Sequence, residues 1–337
     1  MNVLQRVLAF FIAFACSPIG YAASQVVITN LDPYMEGKGG LFRVDTTAGT
    51  LTPVSTGGLF QEPNQVARSP SGDYFIANEI NVIRIDGTNF TQSVLAQGHL
   101  LGLAVGGLAV NAQGRVFASV CCNSGVKSIV EIDAATGTQS LLSAGGLISN
   151  PFRITTFGND ALLVTQPDAP GQILRVSTSD GSQQVVSSGG LLKSPWDIQV
   201  FSANSAYVLD VGTNSVIAIN VQTGEQSLIS TGGFLTRPNG IALDTDGSIL
   251  VTNRSSPQGL IRIMPASGAQ SVVTWSGLVD YPYDVLGIAA PVPEPHVHVM
   301  LSIGMILVLL ISRRQHTHAY GAGALIPLAS IATTVPK

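Results

Sequence analysis

Short runs of apolar residues, separated by turn-forming residues, recur through the middle of the chain. Each group begins with a glycine-led segment such as GGFLTRPNGIALDTDGSILVTN, and successive groups start 41 to 47 residues apart. The starts are Gly57, Gly98, Gly145, Gly189 and Gly232. Short strands bounded by Gly, Pro, Asn and Asp at this spacing indicate the four-stranded blades of a β-propeller.

The repeat that starts at Gly232 shows the predicted strands most clearly. Its apolar runs predict strands at residues 240–243, 249–253, 260–264 and 270–274,. A glycine just before the last strand supplies the flexible position that a hairpin turn needs. This position recurs in Thr136-Gly137, Asp180-Gly181, Thr223-Gly224 and Ser267-Gly268. The pattern therefore predicts an all-β protein built of regular hairpins.

The two ends of the repeat region complement each other. Residues 25–56 match strands two, three and four of a repeat, and residues 276–290 match only the first strand. Together they make one blade, so five whole repeats and this composite blade predict a six-bladed β-propeller over residues 25–290. A solenoid is the alternative, but pairing of the two ends would leave no open sheet edge, whereas a solenoid needs caps.

The amino-acid composition excludes several classes of function. Only 11% of the 337 residues are charged, and the net charge is -4. A chain without a basic excess has no field to attract nucleic acid. Of the five histidines, only His99 falls within the predicted propeller. Because a Ser-His-Asp or histidine-metal site is then hard to assemble, we predict no catalytic residues and favour a binding protein over an enzyme.

Side chains next to the proline of each first strand predict a binding surface. In a propeller, the loops between strands two and three share one face with the linkers between blades, and these residues lie near that face. The candidates are Asn64, Gln65, Arg153, Trp196, Asp197, Asn239, Tyr283 and Asp284. Aromatic rings and convergent hydrogen-bonding groups suit a glycan or a peptide. Alternatively, Arg153 and Asp197, from neighbouring blades, neutralise each other.

Polar residues end the second strands, and turn formation is their expected role. These residues are Asn30, Asn78, Gln166, Asp210 and Asn253. The longest loop on this face adds Asp32, Tyr34 and Glu36 to the predicted rim. The adjacent Cys121 and Cys122 form either a strained vicinal disulfide or two thiols on opposite faces of a strand.

Residues 238–253 carry the pattern Pro-x-Gly-Ile-Ala-x-Asp-x-x-Gly-x-x-x-Val-Thr-Asn, which resembles NHL-type and SMP-30/gluconolactonase-like propellers. In the SMP-30-like enzymes a Glu, an Asn and an Asp hold a divalent ion on the axis. Glu62 and Asn239 match the first two positions, but Tyr283 stands where the Asp is needed and Asp284 follows one residue later. A metal-dependent lactonase that uses calcium or zinc is therefore the alternative to a module without a cofactor.

The first 23 residues have the layout of a secretory signal peptide, which implies the Sec export machinery. Arg6 precedes an apolar run at residues 7–15, and small residues at Ala22 and Ala23 offer a cleavage site,. That run is too short for a bilayer, which needs about 20 apolar residues. Cys16 as a lipoprotein cysteine is the alternative.

Residues 291–314, which follow the predicted propeller, have the features of a targeting segment. Pro293-Glu294-Pro295 precedes an apolar stretch at residues 297–311 and then Arg313-Arg314. A helix over that stretch would be about 23 Å long, short of a hydrocarbon core of about 30 Å, so we expect a weak inner-membrane anchor with the arginines in the cytoplasm.

The order of these features resembles the PEP-CTERM sorting signal of Gram-negative bacteria that make exopolysaccharide. The resemblance implies processing by an exosortase, a membrane peptidase, followed by sorting to the cell surface or the extracellular matrix of a biofilm. The role of residues 315–337 stays open.

Overall fold

A computed structural model describes residues 24–31, 39–102, 104–121, 126–256, 258–274 and 281–288. The chain divides into two compact units, Met1–Ala290 and Pro291–Lys337. The predicted signal peptide, the sorting segment at 291–314, its helix at 297–311 and the segment 315–337 lie outside the described residues.

The described residues form six four-stranded antiparallel sheets, which confirms the predicted six-bladed β-propeller. Strands β1 (Gln25–Asn30), β2 (Gly40–Asp45) and β3 (Leu51–Thr56) belong to blade 6. Blade 1 contains β4 (Pro63–Arg68), β5 (Tyr74–Asn78), β6 (Asn81–Ile85) and β7 (Gln92–Gln97). After a short 3-10 helix (His99–Leu101), blade 2 contains β8 (Val105–Val110), β9 (Val116–Val120), β10 (Ser128–Ile132) and β11 (Gln139–Ala144).

The remaining strands follow in the same order. Blade 3 contains β12 (Ile154–Phe157), β13 (Ala161–Gln166), β14 (Gln172–Ser177) and β15 (Gln183–Ser188). Blade 4 contains β16 (Pro195–Ser202), β17 (Ser205–Asp210), β18 (Ser215–Asn220) and β19 (Gln226–Thr231). Blade 5 contains β20 (Pro238–Leu243), β21 (Ile249–Asn253), β22 (Gly259–Ile263) and β23 (Gln270–Thr274), and β24 (Pro282–Ile288) completes blade 6.

The two ends of the propeller close the ring as predicted. β24 is the inner strand of blade 6 and pairs with β1, so that Gln25 lies opposite Ile288 and Thr29 lies opposite Asp284. One sheet therefore joins strands that are about 250 residues apart in sequence. The first strand of the chain, β1, has a partner on both sides, and the last strand, β24, pairs with it,.

The strand bounds of blade 5 differ from the prediction in two places. β20 begins at Pro238, two residues before the predicted strand, and β22 lies one residue earlier than predicted. The pairing of β20 with β21 shifts register between Pro238 and Ile241. Because this bulge interrupts the alternation of buried and exposed positions, the sequence pattern starts only after it.

The core lies between the blades, where each sheet packs against its two neighbours. The second strands β5, β9, β13, β17 and β21 are buried along almost their whole length. Each hydrophobic cluster draws on two adjacent blades; Phe75 of blade 1, for example, packs with Val116 of blade 2. A strand covered on both faces needs apolar residues at successive positions, which explains runs such as ALLVT and ILVT.

Five glutamines at the start of the outer strands tie adjacent blades together. They are Gln92, Gln139, Gln183, Gln226 and Gln270. In blade 5, Gln270 Oε1 accepts a hydrogen bond from Phe234 N at 2.7 Å, and Gln270 Nε2 donates to Ser230 Oγ of blade 4 at 2.9 Å. Gly233, at φ +60°, leaves the space that Gln270 fills, since a Cβ there would lie 2.7 Å from Gln270 Oε1. The linker that enters a blade is thereby bonded to its outer strand.

Candidate functional site

Two faces of the propeller are defined by its loops. The linker face carries the linkers between blades and the loops between strands two and three; the hairpin face carries the turns between strands one and two and the hairpins between strands three and four. On the linker face, Asn78 donates from Nδ2 to Leu59 O at 3.0 Å and accepts from Gln61 N at 2.8 Å. Asp210 likewise accepts from Lys193 N and Ser194 N at 2.7 and 2.8 Å.

The polar residues that end the second strands thus hold the linkers in place. Gln166 accepts from Ser149 N at 2.7 Å, Asn253 from Arg237 N at 2.9 Å, and Asn30 from Tyr281 N at 3.0 Å. We predicted turns formed within the local chain, whereas most of these side chains reach a linker at least 16 residues away. The loop residues Asp32, Tyr34 and Glu36 lie outside the described residues.

The first layer of inner-strand side chains lies on the axis next to the linker face. This layer contains Asn64, Gly106, Phe152, Trp196, Asn239 and Tyr283, one from each blade. The Phe152 and Trp196 rings lie 4.0 Å apart between centroids, at an angle of 47°. Trp196 Nε1 donates to Asn239 Oδ1 at 2.9 Å, and Asn239 Nδ2 donates to Tyr283 O at 2.7 Å. The half-buried rings of Phe152, Trp196 and Tyr283 therefore form an aromatic surface across blades 3, 4 and 6, and the buried amide of Asn239 in blade 5 links Trp196 to Tyr283.

Arg254 extends this surface and was missed by the sequence reasoning. Its guanidinium carbon lies 4.0 Å from the Tyr283 ring centroid and 6.0 Å from that of Tyr281. Burial lowers the pKa of Arg254 and the Tyr283 charge opposes this effect, while Arg237 lowers the pKa further. Among the described residues, Arg254 Nε has no hydrogen-bond partner. Because Nε itself is buried, Arg254 contributes to the linker face through the stacking of its half-buried guanidinium on Tyr283,.

The second layer lies directly below the first and is almost completely buried. It contains Gln65, Gly107, Arg153, Asp197, Gly240 and Asp284. Gln65 Oε1 accepts from Leu108 N at 2.9 Å, and Asp284 Oδ2 accepts from Val66 N at 2.8 Å. A single exposed rim was therefore the wrong expectation for Gln65, Arg153, Asp197 and Asp284, because the bulged inner strands turn these side chains inward beneath the first layer.

Glycine is required in this layer because the long side chains of other blades fill its space. A Cβ on Gly240 would lie 2.7 Å from both Cα and Oδ1 of Asp284. A Cβ on Gly107 would overlap Gln65 Oε1. The two glycines, in blades 2 and 5, thus make room for the polar groups of the layer.

Hydroxyl groups on the second strands hold both layers in register. Thr165 Oγ1 accepts from Arg153 N at 3.0 Å and donates to Trp196 O of the next blade at 2.9 Å. Thr252 Oγ1 likewise accepts from Gly240 N at 2.8 Å and donates to Tyr283 O of the next blade at 3.1 Å. Each hydroxyl therefore fixes the second layer of its own blade and the first layer of the next.

Arg153 is buried, and its guanidinium carbon lies 5.6 Å from the Phe152 ring centroid. Its side chain is 0% exposed, and none of its three guanidinium nitrogens has a hydrogen-bond partner among the described residues. The ion pairs found in the described part of the chain are Arg84–Asp73, Arg115–Glu131 and Arg262–Asp244. Arg153 and Asp197 therefore form no ion pair within 4 Å, but the Arg153 charge acts on Asp197, as expected for two neutralising groups, and on Asp284 as well.

The two buried aspartates have perturbed protonation. Burial raises the pKa of Asp197, and the charge of Arg153 opposes the rise. Burial and the nearby Asp197 raise the pKa of Asp284 to about 8, again against Arg153. Asp197 accepts hydrogen bonds from Ile198 N and Ile241 N, both at 2.8 Å, which favour its charged form. Near neutral pH, Asp284 is therefore the member of the pair that holds a proton.

A cavity of about 260 Å³ occupies the axis on the other side of the second layer. Gln65, Asp197 and Asp284 lie at its inner end, and Arg68 and Gly287, both exposed, lie at its outer end. It is therefore entered from the hairpin face, opposite to the aromatic surface. Of the eight candidate residues, Asn64, Trp196, Asn239 and Tyr283 thus lie in the layer next to the linker face, Gln65, Asp197 and Asp284 line the cavity, and Arg153 is buried between the two.

Four apolar side chains lie exposed on the linkers near the outer strands, whose glutamines accept from their backbone amides. Leu59, Leu147, Leu191 and Phe234 follow the glycines of successive linkers and are 37% to 41% exposed. The next residue in each linker is buried, for example Phe60 and Leu235. The repeat thus places one exposed and one buried apolar residue in each of these linkers.

Glu62 and Asn239, the two residues that match the metal site of the SMP-30-like enzymes, lie in different environments. Glu62 is exposed, and Asn239 is buried with both amide atoms in hydrogen bonds to Trp196 and Tyr283. Within the described ranges, no group of three or more His, Cys, Asp or Glu side chains is arranged to hold a metal ion. Cys121 is buried, and Cys122 lies outside those ranges, so both predicted states of the cysteine pair stay open.

Comparisons with known proteins show similarity at the level of the fold. No family model matches the sequence, and no curated protein matches it. A solved chain from a nidogen/laminin complex is similar to this one with a TM-score of 0.62 and 13% identity, covering 78% of this chain and 97% of that chain. The likeness supports the propeller fold. No helix in the described part of the chain is long and apolar enough to cross a membrane.

Proposed function

We propose that this protein is an exported, non-enzymatic propeller that docks a protein partner on its linker face. The observation that carries the proposal is the aromatic surface of Phe152, Trp196 and Tyr283 at the centre of that face, with Arg254 stacked on Tyr283. The buried Asn239 holds Trp196 and Tyr283 together. Trp, Tyr and Arg are the residue types that dominate binding energy at protein interfaces, and they do so near the centre of the contact.

The surroundings of this surface suit a protein partner. The linkers of the same face expose Leu59, Leu147, Leu191 and Phe234 near the outer strands, and they also expose Lys193 and Arg237. An interface needs such a contact area around its central residues so that water is excluded from them. The hydrogen bonds of Asn239 and of the second-strand hydroxyls hold the centre rigid, so little ordering is required on binding.

The similar propeller chain comes from a structure described as a nidogen/laminin complex, a name that gives two components. This likeness supports a protein partner by analogy of fold only. A glycan partner is the second candidate, because the half-buried Phe152, Trp196 and Tyr283 rings offer faces on which sugars stack,.

Site-specific cross-linking tests the proposal. A photo-reactive amino acid is placed at Leu191 on the linker face, at Leu228 on the outer strand β19, or at Asp133 in a hairpin, and the full chain is expressed in its native cells. We expect one discrete protein adduct from Leu191 and none from Leu228 or Asp133. Adducts of equal yield from all three positions would contradict the proposal.

A glycan array with the full chain decides the second candidate. Trp196 reports binding when Trp275→Phe removes the other tryptophan. A glycan that quenches Trp196 fluorescence, together with no protein adduct at Leu191, would favour the glycan over the protein.

Export and sorting belong to the same proposal and rest on the sequence alone. The signal peptide at residues 1–23 would direct the chain to the Sec machinery, and Pro293-Glu294-Pro295 with Arg313 and Arg314 would present it to an exosortase. The propeller would then reach the cell surface or the extracellular matrix. Glu294→Ala in an exosortase-containing host should change the size of the protein and the fraction that holds it; an unchanged size and location would contradict sorting.

A further inference from the structure

The axial cavity presents hydrogen-bond acceptors to a ligand. Carboxyl groups of Asp197 and Asp284 lie at its inner end, and Thr155, Thr156 and Gln199 line its walls. Arg153 is not among the lining residues. A ligand that enters from the hairpin face therefore meets two carboxyl groups and several neutral polar groups before it meets the buried guanidinium.

The charges around this cavity do not balance unless a positive species is added. The second layer contains two carboxyl groups and one guanidinium, and all three side chains are at most 2% exposed. Buried charges persist only when they are compensated, so Arg153 can balance only one of the two aspartates. All three guanidinium nitrogens of Arg153 lack a hydrogen-bond partner among the described residues, so Arg153 bonds to neither carboxyl group. Backbone amides donate instead to both oxygens of Asp197 and to Oδ2 of Asp284.

A proton on Asp284 can compensate the negative charge that Arg153 does not balance. Burial and the neighbouring Asp197 raise the pKa of Asp284 to about 8, so the group is mostly neutral at pH 7. A cation at the inner end of the cavity would replace that proton and restore the same charge.

The hairpin face favours the approach of a cation. Asp133 and Asp180 lie exposed in its hairpins, and Asp45 and Asp86 are half-buried at the equivalent positions. Hydrogen bonds from neighbouring turn residues lower the pKa of Asp86, Asp133 and Asp180. Arg84, Arg115 and Arg262 are already in ion pairs. Arg68 at the mouth donates to Gly72 O at 3.3 Å and stacks on Tyr74. Acidic groups on the face from which the cavity is entered raise the local concentration of cations.

We propose that the axial cavity is a second binding site, separate from the linker face, for the primary ammonium group of a small organic molecule. An ammonium group donates three hydrogen bonds, which the carboxyl oxygens and the wall hydroxyls can accept. A divalent metal fits less well, because it needs several uncommitted oxygens, whereas both oxygens of Asp197 already accept backbone hydrogen bonds,. The proposal does not depend on the partner of the linker face.

Titration of the full chain with ethanolamine tests the site, and ethylene glycol is the neutral probe of matched size. The amides of Val66 and Ile241 donate directly to Asp284 and Asp197, so their NMR signals report on the carboxyl groups. We expect saturable shifts of both signals with ethanolamine and none with ethylene glycol. Calorimetry in two buffers at pH 7 should show release of up to one proton on binding, and the affinity should rise between pH 6 and pH 8.

Variants locate the effect. Asp284→Asn should abolish both the binding and the proton release, whereas Asp168→Asn, at an exposed position on the linker face, should retain both. Equal shifts with ethylene glycol, binding without proton release, or unchanged binding by Asp284→Asn would overturn the proposal. Shifts caused by calcium but not by ethanolamine would also overturn it. If Asp284→Asn does not fold, the proton release and the comparison of probes on the unaltered chain still decide the outcome.

Discussion

Asp197 and Asp284 come from blades 4 and 6, which are not adjacent, yet their carboxyl groups both reach Gly240 of blade 5. Asp197 Oδ2 accepts from Ile241 N at 2.8 Å, and Asp284 Oδ1 lies 2.7 Å from the position that a Cβ of Gly240 would occupy. The glycine therefore lets two acids approach each other in a buried layer. Each then changes the protonation of the other.

The pH dependence of stability should carry the signature of Asp284. Its pKa is 3.8 for the free group and about 8 in the folded protein, so between these values the folded state holds a proton that the unfolded chain has lost. The contribution is complete below pH 3.8 and is lost as the pH rises through about 8, so the free energy of unfolding should fall over this window. Urea denaturation at pH 5, 7 and 9 measures it.

Two variants test this assignment. Asp284→Asn should flatten the fall between pH 5 and pH 9. Asp180→Asn should leave that window unchanged, because hydrogen bonds from Ser177 and Ser182 lower the pKa of Asp180 to about 2 and its effect is confined to acid. A parallel fall in the Asp284→Asn protein would show that another group is responsible.

Loss of one interblade glutamine should weaken the ring. Gln270→Ala removes hydrogen bonds to Phe234 N, Ser230 Oγ and Gly232 O, at 2.7, 2.9 and 3.0 Å. We expect a loss of about 1–3 kcal/mol in the free energy of unfolding, because partly buried backbone groups lose their partners. Gln113→Ala, at an exposed turn, should stay within about 0.5 kcal/mol,. Equal losses in the two variants would contradict the role of Gln270.

The first layer should respond as a unit to a change at Asn239. Asn239→Ala removes the acceptor of Trp196 Nε1 and the donor to Tyr283 O. We expect a loss of about 1–3 kcal/mol in stability and a shift of the Trp196 emission maximum, measured in the Trp275→Phe background. Asn64→Ala serves as a control, since the only bond found for Asn64 in the described residues is to its backbone carbonyl oxygen. An unchanged emission maximum in Asn239→Ala would argue against the shared surface.

Closure of the ring can be tested at one hydroxyl. Thr29 Oγ1 in β1 accepts from Asp284 N in β24 at 3.0 Å and donates to Asn64 O in blade 1 at 3.4 Å. Thr29→Val preserves the shape but leaves both buried groups without this partner, so we expect a loss of about 1–3 kcal/mol. Thr52→Val on an exposed position of β3 should change stability by less than about 0.5 kcal/mol,. A loss at Thr29 no larger than that at Thr52 would contradict the closure geometry.

The blade architecture was predictable because its signals are local. Pairs such as Thr223-Gly224 mark the hairpins, and the apolar run of β21 has the bounds that the pattern predicts. The composite blade was also predictable, since residues 25–56 and 276–290 each lack what the other supplies.

The arrangement of the site could not be predicted to the same extent. The sequence pattern assigned neighbouring residues such as Trp196 and Asp197 to the same binding surface. The bulged inner strand instead leaves Trp196 near the linker face and buries Asp197 below it. Arg254 lies in the variable loop after a second strand, where the repeat offers no signal, and its stacking on Tyr283 joins blades 5 and 6. The cavity exists only once all six inner strands surround one axis.

The affinity of the cross-linked partner for variants of the full chain tests the central claim most directly. Arg254→Ala and Phe234→Ser alter the linker face, and Asp133→Asn alters the hairpin face. We predict that each linker-face change weakens binding at least tenfold, about 1.4 kcal/mol, and that Asp133→Asn leaves the Kd unchanged. A Kd that is unchanged in both linker-face variants, or raised only by Asp133→Asn, would contradict the account.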